Sequence, residues 1–256
     1  MCSFDIEVYD MGKVIVVASG KGGTGKTTVC AGVAAAFAKE NKRVLLIDCD
    51  SGMRGVDMMF GISDRLVYDI SDIISGGCEN RDAFYKASAD FELYCVAAPL
   101  YADDEVSPSL LKELIERIKD DFDYILIDSP AGTGSGFVTA AYAADTALVV
   151  INAEPISIRG CQNIRKRLET MSVKDVRLVI NRFEKERFCK MGLYEDLDEV
   201  IDEAGLRLIA LIPEDVRVTA LCQRGELLNN WSQASLIFSA VTKRIEGVDV
   251  PVIAKV

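Results

Sequence analysis

Apolar residues along this chain fall into short β-branched runs separated by longer stretches of helical period. Val14-Ile15-Val16-Val17 reads as a buried strand, and the Ala-rich segment Ala31 to Lys39 reads as a helix. A polar break, Asn41-Lys42-Arg43, leads to a second strand, Val44-Leu45-Leu46-Ile47, which ends in Asp48-Cys49-Asp50. Phe91 to Ala97 reads as another strand. A helix over 107–121, a strand over 122–128, a helix near 136–144 and a strand through Ala147 to Ile151 follow. Further strands are expected at Val176 to Ile180 and Leu206 to Ile212, with helices over 158–170, 194–204 and 233–246. Strands alternating with helices imply parallel β-structure with right-handed crossovers. The expected fold is therefore a doubly wound α/β domain: a mostly parallel sheet between two helical layers. No repeat or break in composition marks a second domain, so residues 11–247 are assigned to one. Residues 1–10, where Phe4, Ile6 and Val8 alternate with Asp5 and Glu7, form an appendage that reads equally as an edge strand or a frayed arm. Residues 248–256 form a short tail.

The first strand runs into Gly20-Lys21-Gly22-Gly23-Thr24-Gly25-Lys26-Thr27-Thr28 and then into the first helix. In that context the pattern is a phosphate-binding P-loop. Glycines let successive N–H groups turn toward phosphate oxygens, and the helix N-terminus adds partial positive charge. Lys26 is expected at the β- and γ-phosphates and the Thr27 hydroxyl on Mg²⁺. A Gly-rich turn without a ligand is the competing reading, and the complete motif argues against it.

In an open parallel sheet, ligands collect at the carboxyl ends of the strands. Asp128 ends the run Tyr124-Ile125-Leu126-Ile127 and precedes Ser129-Pro130-Ala131-Gly132. Four apolar residues and an Asp form the Walker B pattern, so Asp128 is expected to hold Mg²⁺, a hard cation that takes oxygen ligands and keeps several waters. A helix N-cap is the alternative for a lone strand-terminal Asp. Asp48 and Asp50 lie two apart and would face one side of an extended backbone, where Lys26 and Mg²⁺ would offset their mutual repulsion. Asn152-Ala153-Glu154-Pro155 is the third polar strand end. The glycines of Ser51-Gly52-Met53-Arg54-Gly55-Val56-Asp57 suit a mobile switch segment.

Composition narrows the choice. Among 256 residues, 29 are basic and 40 acidic, for a net charge of −11. That field disfavours non-specific binding to nucleic acid or anionic lipid unless basic residues cluster. The clusters at Arg165-Lys166-Arg167 and Lys185 to Arg187 are short and read as solvated helix faces. The eight cysteines form no C-x-x-C pair and there is no His, a poor inventory for zinc. Cys95 reads as a packing thiol. The first residues lack the pattern of a secretory signal and no apolar run is long enough to span a bilayer. A cytoplasmic location with reduced thiols is expected.

The second lysine of the loop, Lys21, is not needed to hold phosphate. With it, the order G-K-G-G-T-G-K-T resembles the deviant Walker A ATPases of the MinD/ParA family. The resemblance runs from about Lys13 to Gly247 and includes Asp48-x-Asp50 and Asp128-Ser129-Pro130-Ala131-Gly132. Gly52-x-Arg54-x-x-Asp57 and Val67-Tyr68-Asp69 are similar to the MinD branch. It implies a P-loop NTPase fold and a Mg²⁺-dependent ATPase that binds ATP and ADP. It also implies that ATP brings two copies face to face as a homodimer, with Lys21 reaching the partner's nucleotide, and that a partner protein stimulates slow hydrolysis. Asp50 would lie near the attacking water and Asp48 would support the metal and its water shell. Asn181-Arg182 and Pro213-Glu214-Asp215 would border the adenine ring, and the preference for adenine rests on the resemblance alone.

Related functions fit less well. Iron–sulfur relatives need a cluster cysteine after the Walker B segment or a C-terminal C-x-x-C, and this chain has neither. DNA partitioning is disfavoured by the acidic charge. A nucleotide-gated scaffold with little turnover, or a synthase using ATP to activate a small acid, would share the loop. Two departures from the MinD branch stand out. Members of that branch usually end in a basic amphipathic helix that binds membrane, whereas Val248 to Val256 contains Pro251 and one lysine, so no direct membrane anchor is expected. Many also carry an acidic residue where Gly160 follows Arg159, in a stretch linked to partner contact.

Overall fold

The computed structural model describes residues 12–101, 106–171, 173–227 and 233–252. The expected appendage at residues 1–10 and the last part of the tail, 253–256, lie outside the described residues. Eight strands form one sheet: β1 (Lys13–Ala18), β2 (Val44–Asp48), β3 (Tyr85–Lys86), β4 (Leu93–Val96), β5 (Tyr124–Asp128), β6 (Thr146–Ile151), β7 (Asp175–Phe183) and β8 (Arg207–Pro213). Their order is β3-β4-β2-β5-β1-β6-β7-β8, and every pairing is parallel except the two-residue edge strand β3 against β4.

Ten helices flank the sheet among the described residues: α1 (Lys26–Lys39), α2 (Gly55–Met59), α3 (Ile70–Ser75), α4 (Pro108–Ile118), α5 (Ser135–Tyr142), α6 (Pro155–Glu169), α7 (Lys185–Met191), α8 (Leu197–Ala204), α9 (Val216–Arg224) and α10 (Gln233–Ile245). Side chains alternate across a strand, so β1 feeds two cores. Val14, Val16 and Ala18 pack with Leu111, Leu114, Phe137 and Ile158 on one face. Ile15 and Val17 pack with Val29, Val33, Phe37 and Val241 on the other. Both faces are covered, which is why the central strands read as unbroken apolar runs rather than alternating ones.

The expected strands all form. Strand β5 starts at Tyr124 rather than at residue 122, because a single 3-10 turn, Lys119–Asp121, closes the preceding helix and Phe122 leads in from it. Helix α8 starts at Leu197 rather than at residue 194, since Asp196 caps it by accepting from the Glu199 amide at 3.0 Å. Helices α2, α3 and α9 were not anticipated, and α7 was foreseen only as the solvated helix face at Lys185 to Arg187. They are short, and α2 and α3 are set by local polar contacts more than by an apolar stripe.

The register brings the chemistry together. Asp48 pairs with Asp128 at the ends of β2 and β5, and Asp128 lies opposite Val17 of β1, just before the P-loop.

Candidate nucleotide site

The P-loop leaves β1 and delivers α1 beginning at Lys26. Gly25 sits at φ 84°, a left-handed conformation that opens the helix, and a Cβ there would lie 2.3 Å from Asn181 Nδ2. Gly20 approaches Gly160 of α6 so closely that a Cβ on it would stand 2.2 Å from the Gly160 backbone. The loop is thus held from two sides: Asn181 Nδ2 donates to Thr24 O at 2.8 Å and Arg182 Nη1 to Gly23 O at 3.2 Å. Asn181 and Arg182, expected beside the base, brace the loop's backbone.

Lys26 points down into the strand ends. Only 6% exposed, its ammonium donates to Asp128 Oδ1 at 2.8 Å and lies 3.8 Å from Asp50 Oδ2. Burial works against its charge, but Asp128 foremost and then Asp50 overcome that and raise its pKa. Asp128 is sealed from solvent, and burial raises its pKa against the lowering effects of Lys26 and of a hydrogen bond from the Thr27 hydroxyl. Its other oxygen, Oδ2, is buried with no hydrogen-bond partner. An orphaned carboxylate oxygen beside a threonine hydroxyl is a donor pair that fits Mg²⁺.

Asp48 is 1% exposed, and burial with Asp128 alongside pushes its pKa up to about 7. The backbone does not stay extended through Asp50. It turns after Asp48, whose Oδ1 accepts from the Asp50 amide at 2.9 Å and whose Oδ2 accepts from the Val56 amide at 3.3 Å. Asp48 therefore ties down both ends of the turn from Asp50 to α2, while Asp50 stays partly exposed with its carboxylate toward Lys26. Arg54 secures the turn's far side, donating to Ala98 O at 2.7 Å and to Asp69 Oδ2 at 2.8 Å.

The two lysines of the loop part company. Lys21 lies on the surface and its Nζ is 3.1 Å from Glu154 Oε2. Glu154 also accepts from Arg187 Nη2 at 3.2 Å, so Arg187 is more than a solvated residue of a helix face. Nothing in the sequence linked α7 to Lys21; only the strand-terminal position of Glu154 pointed to that corner.

Other residues named from sequence take supporting places. Gly22 and Gly23 face open space, and the Thr24 hydroxyl is buried without a partner. The Thr28 side chain hydrogen-bonds the Cys222 thiol, on the α9 side of the loop. Glu214 pairs with Arg182 at 3.5 Å, and Pro213 stands opposite Phe183 in the β7–β8 register. Asp215 caps α9 through the Arg217 amide at 2.9 Å. Lys21, Asn152, Glu154, Arg182, Arg187 and Glu214 wall a cleft of about 220 Å³ beside the loop. Cys95 is buried in the sheet, and burial raises its thiol pKa.

Comparison with known proteins agrees with this geometry. A family described as an AAA domain matches residues 12–180. The septum site-determining protein MinD of Bacillus subtilis is 35% identical over 246 residues, covering 94% of this chain and 91% of that protein. The chain is similar to a solved MinC:MinD cell division protein complex of Aquifex aeolicus, with a TM-score of 0.86 and 35% identity, covering 94% of this chain and 98% of that one. The septum site-determining protein MinD of Pyrococcus horikoshii, solved with Mg-ADP, shares the fold with a TM-score of 0.81 at 24% identity, covering 92% of this chain and 96% of that one. With a P-loop, paired strand-end carboxylates and relatives matched over nearly the whole length, this chain belongs to the MinD/ParA family of P-loop ATPases.

Proposed function

We propose that residues 11–247 form one Mg²⁺-dependent ATPase domain that uses ATP to switch between a monomer and a face-to-face homodimer. The observation that carries this reading is the divergence of the two loop lysines. Lys26 turns inward beneath the loop to Asp128, whereas Lys21 stands outside that site, 37% exposed. A cation there can serve a nucleotide held by a second copy.

In this reading the loop amides and Lys26 bind the β- and γ-phosphates. Thr27 and Asp128 hold Mg²⁺, with Asp48 supporting its water shell, and the metal supplies charge neutralisation on the phosphates. Asp50 orients the water that attacks the γ-phosphorus, giving ADP and phosphate. Lys21 acts in trans on the partner's phosphates. Arg182, Pro213, Glu214 and the Asn181 strand end border the base. The names of the relatives, a septum site-determining protein and a MinC:MinD cell division protein complex, support a role beside a protein partner in division-site selection. To this we add a cytoplasmic location and hydrolysis that the partner stimulates. Light scattering tests the core of the proposal. The parent should double its mass with Mg·ATP but not with Mg·ADP, and Lys21→Ala should bind nucleotide and remain monomeric. Normal ATP-dependent dimerisation of Lys21→Ala would sink the trans role.

A further inference from the structure

Lys21 and Arg187 share a single carboxylate. Glu154, just before α6, holds Lys21 Nζ at 3.1 Å with one oxygen and Arg187 Nη2 at 3.2 Å with the other. The two cations differ in how they are anchored. Lys21 sits on a loop at the end of a flexible four-carbon stem. Arg187 sits on α7, whose neighbouring Phe188 ring lies 5.3 Å from Phe183 and 6.5 Å from Tyr194. Arg182, on the same cleft wall, is engaged with Gly23 O and Glu214 and does not stand in for either.

We infer that Glu154 holds Lys21 on its own chain in the monomer, and that Arg187, acting through Glu154, sets how readily Lys21 is released to a second copy. The inference rests on the trans role of Lys21 proposed above. A lysine that leaves a lone carboxylate strands a charge behind it. With Arg187 in place, Glu154 keeps a counter-charge after Lys21 has gone, so release costs less. Removing Arg187 leaves Lys21 as the sole cation bonded to Glu154 among the described residues, and its departure becomes harder. Arg187 is thus a positioning residue for the switch and touches no nucleotide in this scheme.

The test measures, for the full chain with Mg²⁺ and a non-hydrolysable ATP analogue, the protein concentration at half-dimerisation by analytical ultracentrifugation. Arg187→Ala should raise that concentration by about two- to five-fold, the scale of exposed ion pairs, and Arg187→Lys should restore it. Glu154→Gln should lower it, and in the Glu154→Gln background Arg187→Ala should have no effect. If Arg187 merely stabilised α7, its loss would impair dimerisation equally in both backgrounds, and that outcome overturns the inference. So does an Arg187→Ala protein that dimerises like the parent, or a Glu154→Gln protein that dimerises no more tightly. Lys21→Ala separates the two levels. If it dimerises normally, the trans reading itself falls; if it stays monomeric while Arg187→Ala matches the parent, only the present inference falls.

Discussion

Lys26 Nζ and Asp128 Oδ1 stand 2.8 Å apart beneath the phosphate loop, and neither group has appreciable access to water. A second carboxylate, Asp50, lies 3.8 Å from the same ammonium. In the proposed site, then, the lysine assigned to phosphate is, before nucleotide binds, also the counter-ion of Asp128, the carboxylate assigned to the metal. Binding Mg·ATP would replace that internal pairing with phosphate on the lysine and metal on Asp128, exchanging partners without leaving a buried charge alone. Breaking a buried pair by removing one member is costly because the other is left uncompensated.

Lys26→Ala should therefore do two things at once. ATP affinity should fall by at least about 1.5–3 kcal/mol, the scale of a hydrogen bond to a charged group. The nucleotide-free protein should also lose about 3 kcal/mol of stability. Adding Asp128→Asn to Lys26→Ala should recover part of the stability and none of the affinity. Calorimetry and denaturant unfolding measure the two effects, and unchanged ATP affinity in folded Lys26→Ala would remove the phosphate site from Lys26.

Asp48 makes stability depend on pH. Its folded-state pKa, up to about 7, lies above the ordinary carboxylate value, so the folded protein holds a proton that the unfolded chain has released. Stability from this group is full below about pH 4, falls as pH rises through the window, and is lost above about pH 7. Asp48→Asn, which cannot ionise, should gain on the parent between about pH 4 and pH 7 in nucleotide-free urea titrations and hold that gain above pH 7. A constant difference across that range would show that Asp48 is ionised throughout.

Asp50 differs from Asp48 in being partly exposed and in receiving no backbone donor among the described residues. Asp50→Ala should leave the fold and ATP binding intact, slow hydrolysis by about two orders of magnitude, as expected on losing a water-orienting group, and accumulate as the ATP-bound dimer. Phosphate release with light scattering checks both. A monomeric Asp50→Ala under saturating Mg·ATP would contradict the switch.

The site was legible in the sequence where local pattern dictates it. The loop, its lysines and the strand-terminal aspartates follow from apolar runs that can only be buried parallel strands, and from a glycine spacing that suits phosphate. What escaped depends on contacts far apart in the chain. Arg187 meets Glu154 because β6 and β7 are neighbours, and Asn181 reaches Thr24 across 157 positions. The turn after Asp48 was misread as extended because the carboxylate that bends it acts through backbone amides, which leave no mark on composition. Helix α2 is five residues long, too short to show a period.

The carboxyl-terminal segment sets the last prediction, on membranes. After Gly247 the described backbone, to Val252, forms neither helix nor strand. It is held to the domain by Arg244, which donates from Nε to Val250 O at 2.8 Å, from Nη1 to Ile209 O at 2.6 Å, and also to Pro251 O. The Arg244 guanidinium is therefore spent on carbonyls of the domain and the tail. A surface-binding helix needs an apolar face and a basic face together. Here Val248 and Val252 are exposed but no helix among the described residues presents them, and lowering an extended strip into hydrocarbon would leave its peptide groups unsatisfied. The net charge of −11 opposes approach to anionic lipid. Dimerisation can multiply a weak affinity through avidity, but only where each copy binds on its own to some degree. Purified protein with Mg·ATP should therefore remain in the supernatant when sedimented with phosphatidylglycerol-containing liposomes at physiological salt, and Arg244→Ala, which frees the tail, should leave it there. ATP-dependent co-sedimentation that disappears on deleting residues 248–256 would show that the tail recruits membrane without a helix.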